Sequence, residues 1–157
     1  MKKILLRAAA LLLALVLAGC GTASPAETVP TEADKTDDNY RVFYEIFVGS
    51  FADSDGDGTG DLNGILRHLD YLNDGNLLSD TSLGVQGLWL TPIFASPSYH
   101  KYDATDYYRI DSDFGTEDDL RALLDACHAR NVKVILDLVI NHTARNHEWF
   151  QSFCQSH

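Results

Sequence analysis

Short apolar runs alternate along the chain with a stretch in which apolar residues recur every three or four positions, and these patterns predict strands and helices in turn. Aromatic and β-branched residues dominate Arg41–Val48, and this composition predicts a strand. Leucine and isoleucine then recur every three or four residues from Leu62 to Leu72, which is the period of a helix. Val85–Leu90 is a short apolar run that predicts a second strand.

The same alternation continues through the second half of the chain. The polar stretch Phe94–Ser112 is predicted to be a loop, and Thr116 with Asp119 forms a capping box that predicts the start of a helix. Val132–Ile140 is an almost continuous apolar run, which predicts a strand buried on both faces. The order β-α-β-α-β predicts an α/β fold with a parallel sheet. In such folds the chemistry lies where the strands end, and long polar loops follow all three predicted strands.

The first 39 residues are predicted to form a targeting signal followed by a tether. Basic residues precede the apolar run Ile4–Ala18, which predicts a secretory signal peptide over residues 1–19, with a membrane-spanning helix as the alternative. Leu17-Ala-Gly-Cys20 resembles a bacterial lipobox, which implies lipidation of Cys20 and anchoring to the outer face of a membrane. Residues 20–39 lack an apolar period and predict a flexible tether, so the folded part is expected over residues 40–157.

Composition narrows the range of partners. The 157 residues include 12 basic and 23 acidic side chains, and the formal net charge is −11. This acidic excess argues against nucleic acid and anionic lipid surfaces as partners and leaves metal cations and neutral substrates open. Three cysteines are too few for a disulfide scaffold.

An acidic loop follows the first predicted strand. Its candidate oxygen ligands alternate with small residues, and they are Asp53, Asp55, Asp57, Thr59 (through its carbonyl) and Asp61. Carboxylates this close repel one another, and a hard dication such as Ca²⁺ with oxygen ligands relieves the repulsion. The pattern resembles an EF-hand loop, although Gly64 stands where an EF-hand has its bidentate glutamate. We therefore predict a structural Ca²⁺ site, and a solvated acidic turn is the alternative.

Four segments together resemble the start of an α-amylase family glycoside hydrolase. They are Tyr44–Phe47, Trp89–Ile93, Tyr99–Tyr108 with Phe114–Thr116, and Asp137–Thr143 with His147–Phe150. The resemblance implies the N-terminal β-α-β-α-β portion of a (β/α)₈ TIM barrel, with residues 40–157 ending at the start of the B domain. It also implies a parent enzyme that cleaves α-glucosidic bonds in starch-like glucans with retention, through a covalent glycosyl-enzyme.

The same resemblance assigns roles to individual residues. The residues implied to bind an α-glucan or maltooligosaccharide are His100, Tyr102, Asp103 and His142, with Tyr102 stacking on the sugar. Asn141 matches a residue that ligates a second Ca²⁺ in many members of the family. Asp137 matches an acid that supports the site, and pairing with an arginine is a further expectation for it.

The catalytic carboxylates of the family follow later strands of the barrel. Its nucleophile, acid and helper acid follow the fourth, fifth and seventh strands, so we predict no catalytic residue within this chain. A sheet of three strands leaves an edge and an apolar face uncovered, so we expect this piece alone to be inactive and to aggregate or fold only in part. The alternatives are a calcium-binding cell-surface module and a non-functional remnant. Binding of maltooligosaccharides would separate the enzyme from the calcium module.

Overall fold

The computed structural model describes residues 41–156. The predicted signal peptide over 1–19, the predicted tether over 20–39 and the predicted lipidation of Cys20 lie outside these residues. Within the described range, no helix is long and apolar enough to cross a membrane.

Ten elements follow one another along the described chain. In order they are β1 (Phe43–Ile46), α1 (Val48–Phe51), α2 (Leu62–Arg67), α3 (Leu69–Leu72), β2 (Gly87–Leu90), β3 (Phe94–Ala95), β4 (Asp106–Ile110), α4 (Glu117–Ala129), β5 (Lys133–Leu136) and α5 (Glu148–Ser156). β1, β2 and β5 form a parallel sheet in that order, in which Leu88 of β2 lies opposite Tyr44 on one side and Val134 on the other. The predicted β-α-β-α-β order and parallel sheet are therefore confirmed.

One face of the parallel sheet carries the core. Ile46, Leu88 and Leu90 point from the strands into a fully buried cluster that includes Leu62 of α2 and Leu123 of α4. Burial of such side chains is worth about 1.5–3 kcal/mol each, and it holds the helices against the sheet.

The opposite face of the sheet is open among the described residues. Phe43, Trp89 and Ile135 alternate with the core positions and are each at least two-fifths exposed. The prediction that Val132–Ile140 is a strand buried on both faces is therefore wrong. β5 ends at Leu136, and Lys133 and Ile135, which face outward from it, are exposed.

Local signals in the sequence explain where the helices begin. Thr116 is the N-cap of α4, and its side chain and that of Asp119 form the predicted capping box. Three acidic residues occupy the first turn of α4, where the helix dipole favours negative charge. The thiol of Cys127 lies on the buried face of this helix, and burial raises its pKa to about 11.

Two predictions about the connections need correction. The predicted loop Phe94–Ser112 contains an antiparallel pair, because β3 and β4 pair with Phe94 opposite Ile110. β3 has only two residues, too few for a period-two pattern to be visible in the sequence. The hairpin sets the residues between Ala95 and Asp106 at the end of the parallel sheet. The sequence predicts no helix over Glu148–Ser156, where the structure has α5.

Candidate functional site

Parallel pairing brings the carboxyl ends of β1, β2 and β5 to one edge of the sheet. The segments that follow these strands carry the residues singled out in the sequence, as expected for a parallel α/β fold. We refer to the segment between β3 and β4, residues 96–105, as the tyrosine loop, because it carries Tyr102.

Three predicted site residues meet at this edge. The hydroxyl of Tyr102 donates a hydrogen bond to Oδ2 of Asp137 at 2.7 Å, although the two residues are 35 positions apart. His142 Nε2 lies 3.1 Å from the backbone carbonyl oxygen of Tyr102. The tyrosine loop is thereby joined to the segment after β5. The expectation that an arginine pairs with Asp137 is wrong for the described residues, because its partner there is a phenol.

The contact with Asp137 controls the ionisation of Tyr102. The hydrogen bond to Asp137 is the largest cause, followed by burial and the negative charges of Asp137 and Glu45, and together they raise the pKa of Tyr102 to about 12. The phenol is therefore protonated at neutral pH and remains a hydrogen-bond donor. The side chain of Tyr102 is still 38% exposed, so its hydroxyl is fixed while part of its surface faces solvent.

His100 and Asp103 are bound into the tyrosine loop itself. Asp103 accepts hydrogen bonds from the hydroxyls of Ser96, at 2.6 Å, and Ser98. Burial opposes ionisation of Asp103, but these hydroxyl bonds outweigh it and lower its pKa. His100 Nδ1 accepts from the backbone N–H of Tyr102 at 3.1 Å, and the two rings lie 6.0 Å apart. Both side chains therefore shape the loop that presents Tyr102, and their predicted contact with sugar stays a prediction.

Lys101 is the residue that sequence reasoning missed. Its ammonium lies 3.0 Å from Asp111 and 2.9 Å from Asp113, and 5.3 Å from the ring centre of Phe114. Burial opposes the charge, but the two carboxylates outweigh it and raise the pKa of Lys101. The only signal in the sequence is a lysine that lies ten and twelve residues before two aspartates, which is too weak to interpret without the fold.

Tyr107 supports the segment after β5. Its hydroxyl lies within hydrogen-bond distance of the carbonyls of Val139, at 2.7 Å, and His142, at 2.9 Å. Its ring stacks on Trp149 with centroids 5.8 Å apart. An open cavity of about 700 Å³ lies beside these groups, a volume in the range of small-molecule sites. Asn141, predicted to ligate a second ion, is exposed at the border of this cavity.

The acidic loop places three carboxylates close together. Ligand atoms of Asp53, Asp55 and Asp61 all lie within 4.8 Å of one another. The backbone N–H groups of Gly56 and Gly58 donate to Asp53 at 2.6 and 2.9 Å, and these bonds lower its pKa. Both glycines have a positive φ, which lets the chain curl around the carboxylate.

The remaining predicted ligands lie within the same loop. Asp57 is outside the group of three carboxylates and accepts from the N–H of Thr59 at 2.7 Å. Asp61 is buried, and it accepts from the N–H groups of Ser54 and Gly64, each at 2.7 Å. Burial opposes ionisation of Asp61, but these bonds outweigh it and lower its pKa. Three converging anions with hard oxygen donors fit a divalent cation of the Ca²⁺ type.

Parallel strands joined by helices, with polar segments at their carboxyl ends, define a class of protein, the α/β proteins whose functional sites lie at the strand ends. The chain belongs to the α-amylase family, because the family model described as "Alpha amylase, catalytic domain" matches residues 45–157. This match confirms the resemblance noted in the sequence. The three parallel strands with their helices correspond to the first part of the family's (β/α)₈ barrel, and this confirms the fold class.

Similar proteins carry several activities in their names. Alpha-amylase 3 of Dictyoglomus thermophilum is 51% identical over 116 residues, which are 74% of this chain and 22% of that protein. The trehalose synthase/amylase TreS of Mycolicibacterium smegmatis is 45% identical over 127 residues, 80% of this chain and 20% of that protein. The crystal structure of the α-amylase from H. orenii matches with a TM-score of 0.69 and 60% identity, over 70% of this chain and 22% of that one. The chain thus spans about a fifth of the length of these relatives.

Proposed function

We propose that the protein to which this chain belongs is a glycoside hydrolase that cleaves α-glucosidic bonds in starch-like glucans. By analogy with the family, it would do so with retention through a covalent glycosyl-enzyme, which requires a pair of carboxylates across the bond. This chain would contribute substrate binding and a metal loop to that enzyme, not the carboxylate pair. One observation carries the proposal, namely the meeting of Tyr102, Asp137 and His142 at the carboxyl ends of parallel strands.

The chemistry of these three side chains suits a sugar. A pyranose has a flat apolar face bordered by hydroxyls, so its site needs an aromatic surface beside hydrogen-bonding groups. Tyr102 supplies the aromatic surface, and its bond to Asp137 restrains the ring. In the proposal His142, with His100 and Asp103, binds hydroxyls of the same glucosyl unit, while Asp137 supports Tyr102 and does not attack the substrate.

Binding of maltooligosaccharides tests this proposal. In the whole gene product, Tyr102→Ala should weaken binding measured by calorimetry by about tenfold or more, because a stacking aromatic surface is lost. Tyr108→Ala is the matched control, since Tyr108 is 90% exposed on β4 and should not affect binding. Equal affinity of the Tyr102 variant and the parent, or no binding by the parent, would refute the proposed substrate.

We further propose that the acidic loop holds Ca²⁺. The ion would be bound by the carboxylates of Asp53, Asp55, Asp57 and Asp61 and the carbonyl of Thr59, and Asn141 would contribute to a second ion. When bound, the ion supplies positive charge to the acids and braces the loop after β1. The convergence of three carboxylates supports this proposal. Its test is the calcium dependence of thermal unfolding, which needs no assay of activity.

The proposed location is the outer face of a bacterial membrane. The residues around Cys20 support secretion and lipid attachment to its thiol. Metabolic labelling with a radioactive fatty acid should mark the protein, and Cys20→Ser should abolish the label. A labelled serine variant, or an unlabelled parent, would contradict the proposal.

A calcium-binding cell-surface module is the second candidate. The carboxylate group of Asp53, Asp55 and Asp61 favours it, because such a module needs nothing else. Calcium binding does not separate the two candidates. A chain that binds calcium but no maltooligosaccharide would favour the module over the hydrolase.

A further inference from the structure

Lys101 stands between two residues of the candidate site, His100 and Tyr102, and the proposed function leaves it unexplained. Its side chain is buried, and its backbone φ is +62°. Lysine is almost never fully buried without a partner, and a positive φ is uncommon for any residue other than glycine. Glycine is the default choice for such a backbone, so a lysine at this position indicates a role for its ammonium group.

The ammonium is fixed from two directions. Asp111 is itself buried, and its Oδ2, which lies 3.0 Å from the Lys101 ammonium, also accepts from the backbone N–H of Ser96 at 2.9 Å. Asp113 adds a second contact at 2.9 Å. The carboxylate of Asp111 therefore binds both Ser96, at the beginning of the tyrosine loop, and Lys101, the residue with the positive φ. The loop is thus anchored on both sides of its bend.

The bend determines where Tyr102 points. The N–H of Lys101 donates to the carbonyl of Ser98 at 3.3 Å, and the N–H of Tyr102 donates to His100 at 3.1 Å. A change of φ at Lys101 rotates the next peptide and swings the Cα–Cβ bond of Tyr102. Both contacts across the site depend on that direction, the hydroxyl bond to Asp137 and the approach of His142 to the carbonyl.

We propose that Lys101 is a positioning residue, whose ammonium, clamped between Asp111 and Asp113, holds the left-handed bend that aims Tyr102 at Asp137. Its role in sugar binding rests on the proposed function, whereas its effect on Tyr102 does not. An ion pair that only stabilised the fold would change the melting temperature without changing the surroundings of the Tyr102 phenol. The ionisation of this phenol therefore separates the two roles.

The experiment compares two replacements by glycine in the whole gene product. Lys101→Gly keeps the left-handed backbone accessible and removes the ammonium. Asn131→Gly is the matched control, because Asn131 has a φ of +56° and is exposed at the end of α4. Asp113→Asn leaves the backbone residue intact and weakens the clamp, so it covers the case in which Lys101→Gly does not fold. The readouts are the Tyr102 pKa, followed by NMR of ring-labelled tyrosine and assigned with Tyr102→Phe, and the Kd for a maltooligosaccharide.

The expected results differ between the variants. In Lys101→Gly the Tyr102 pKa should fall from about 12 towards 10.0, because the bond to Asp137 is lost. The Kd should rise about tenfold, the effect of one hydrogen bond. Asp113→Asn should lower the Tyr102 pKa and raise the Kd by smaller amounts, and Asn131→Gly should change neither quantity.

Two outcomes separate failure of this inference from failure of the proposed function. If the melting temperature falls in Lys101→Gly or Asp113→Asn while the Tyr102 pKa stays near 12, Lys101 has only a structural role and the inference is overturned. If the parent protein binds no maltooligosaccharide, the proposed function fails, and the Tyr102 pKa still decides whether Lys101 positions that residue.

Discussion

Replacing Asp61 should reveal two functions of one carboxylate. One oxygen caps α2 by accepting from the N–H of Gly64, and the other accepts from the N–H of Ser54, each at 2.7 Å. Loss of an N-cap costs about 1 kcal/mol. Leaving the Ser54 amide without an acceptor costs about 1–3 kcal/mol more, because the carboxylate site is only 7% exposed. Asp61→Ala should therefore lower the free energy of unfolding by about 2–4 kcal/mol in the presence of a chelator.

Calcium should enlarge this difference. An ion that binds only the folded state stabilises the parent by about 2.7 kcal/mol at a hundred times its Kd. Asp61→Ala removes a member of the carboxylate group and should gain little of this stabilisation. Its cost should therefore rise to about 5–7 kcal/mol in calcium, the sum of the two effects. Thermal unfolding of the whole gene product, followed by circular dichroism with chelator and with calcium, measures both values.

Thr116→Ala provides the matched control. Thr116 caps α4 through its side chain but lies outside the acidic loop. Its replacement should cost about 1 kcal/mol with or without calcium. The reasoning is refuted if calcium stabilises Asp61→Ala as much as the parent, or if the cost of Thr116→Ala depends on calcium to the same extent.

Three further outcomes follow from single contacts. The pKa of Tyr102 is raised from 10.0 to about 12, so its neutral phenol stabilises the fold below pH 10, and this stabilisation disappears as the pH rises to 12. In a titration of stability against pH, Tyr102→Phe should therefore lose less of its free energy of unfolding between pH 10 and 12 than the parent does. A thiol reagent should label exposed Cys154 quickly and buried Cys127 only on unfolding, and equal labelling rates would contradict the burial. Gly64→Ala should prevent folding or cost several kcal/mol by circular dichroism, because its Cβ would lie 1.9 Å from the carbonyl oxygen of Ala52; native-like unfolding of this variant would refute the packing.

Local signals made the two main helical segments and the strand pairing predictable. The capping box at Thr116 and the helical spacing from Leu62 depend on residues a few positions apart, and the structure confirms both helices. The helical pattern that ends at Leu72 is divided at His68 into α2 and α3, a detail that spacing does not show. Parallel pairing followed from the alternation of strands and helices.

The remainder depends on contacts between distant segments. Burial of Lys101 requires Asp111 and Asp113 to turn back towards the tyrosine loop, and no pattern of apolar spacing reports such a turn. Apolar composition predicted that the third strand of the parallel sheet is buried on both faces. Composition does not tell which side chains are covered by another element, and Ile135 is 46% exposed. Family resemblance predicted Tyr102 and Asp137 as site residues, and only the structure showed that they form a hydrogen bond with each other.

The two parts of the candidate site differ in the number of residues that separate the partners of their contacts along the chain. The acidic loop closes on itself, since the bond from Ser54 to Asp61 spans seven residues and the bond from Gly56 to Asp53 spans three. The contact between Tyr102 and Asp137 spans 35 residues, and Asp137 directly follows β5. Closing a longer segment costs more entropy and is slower, so the acidic loop should acquire its shape early in folding and the contact between Tyr102 and Asp137 should form late. Pulse-labelled hydrogen exchange should protect the amide of Gly58, which donates to Asp53, before that of Asp137, which donates to the carbonyl of Leu90, and the reverse order would contradict this sequence of events. During synthesis on the ribosome, the acidic loop would thus be complete well before Tyr102 and Asp137 could meet.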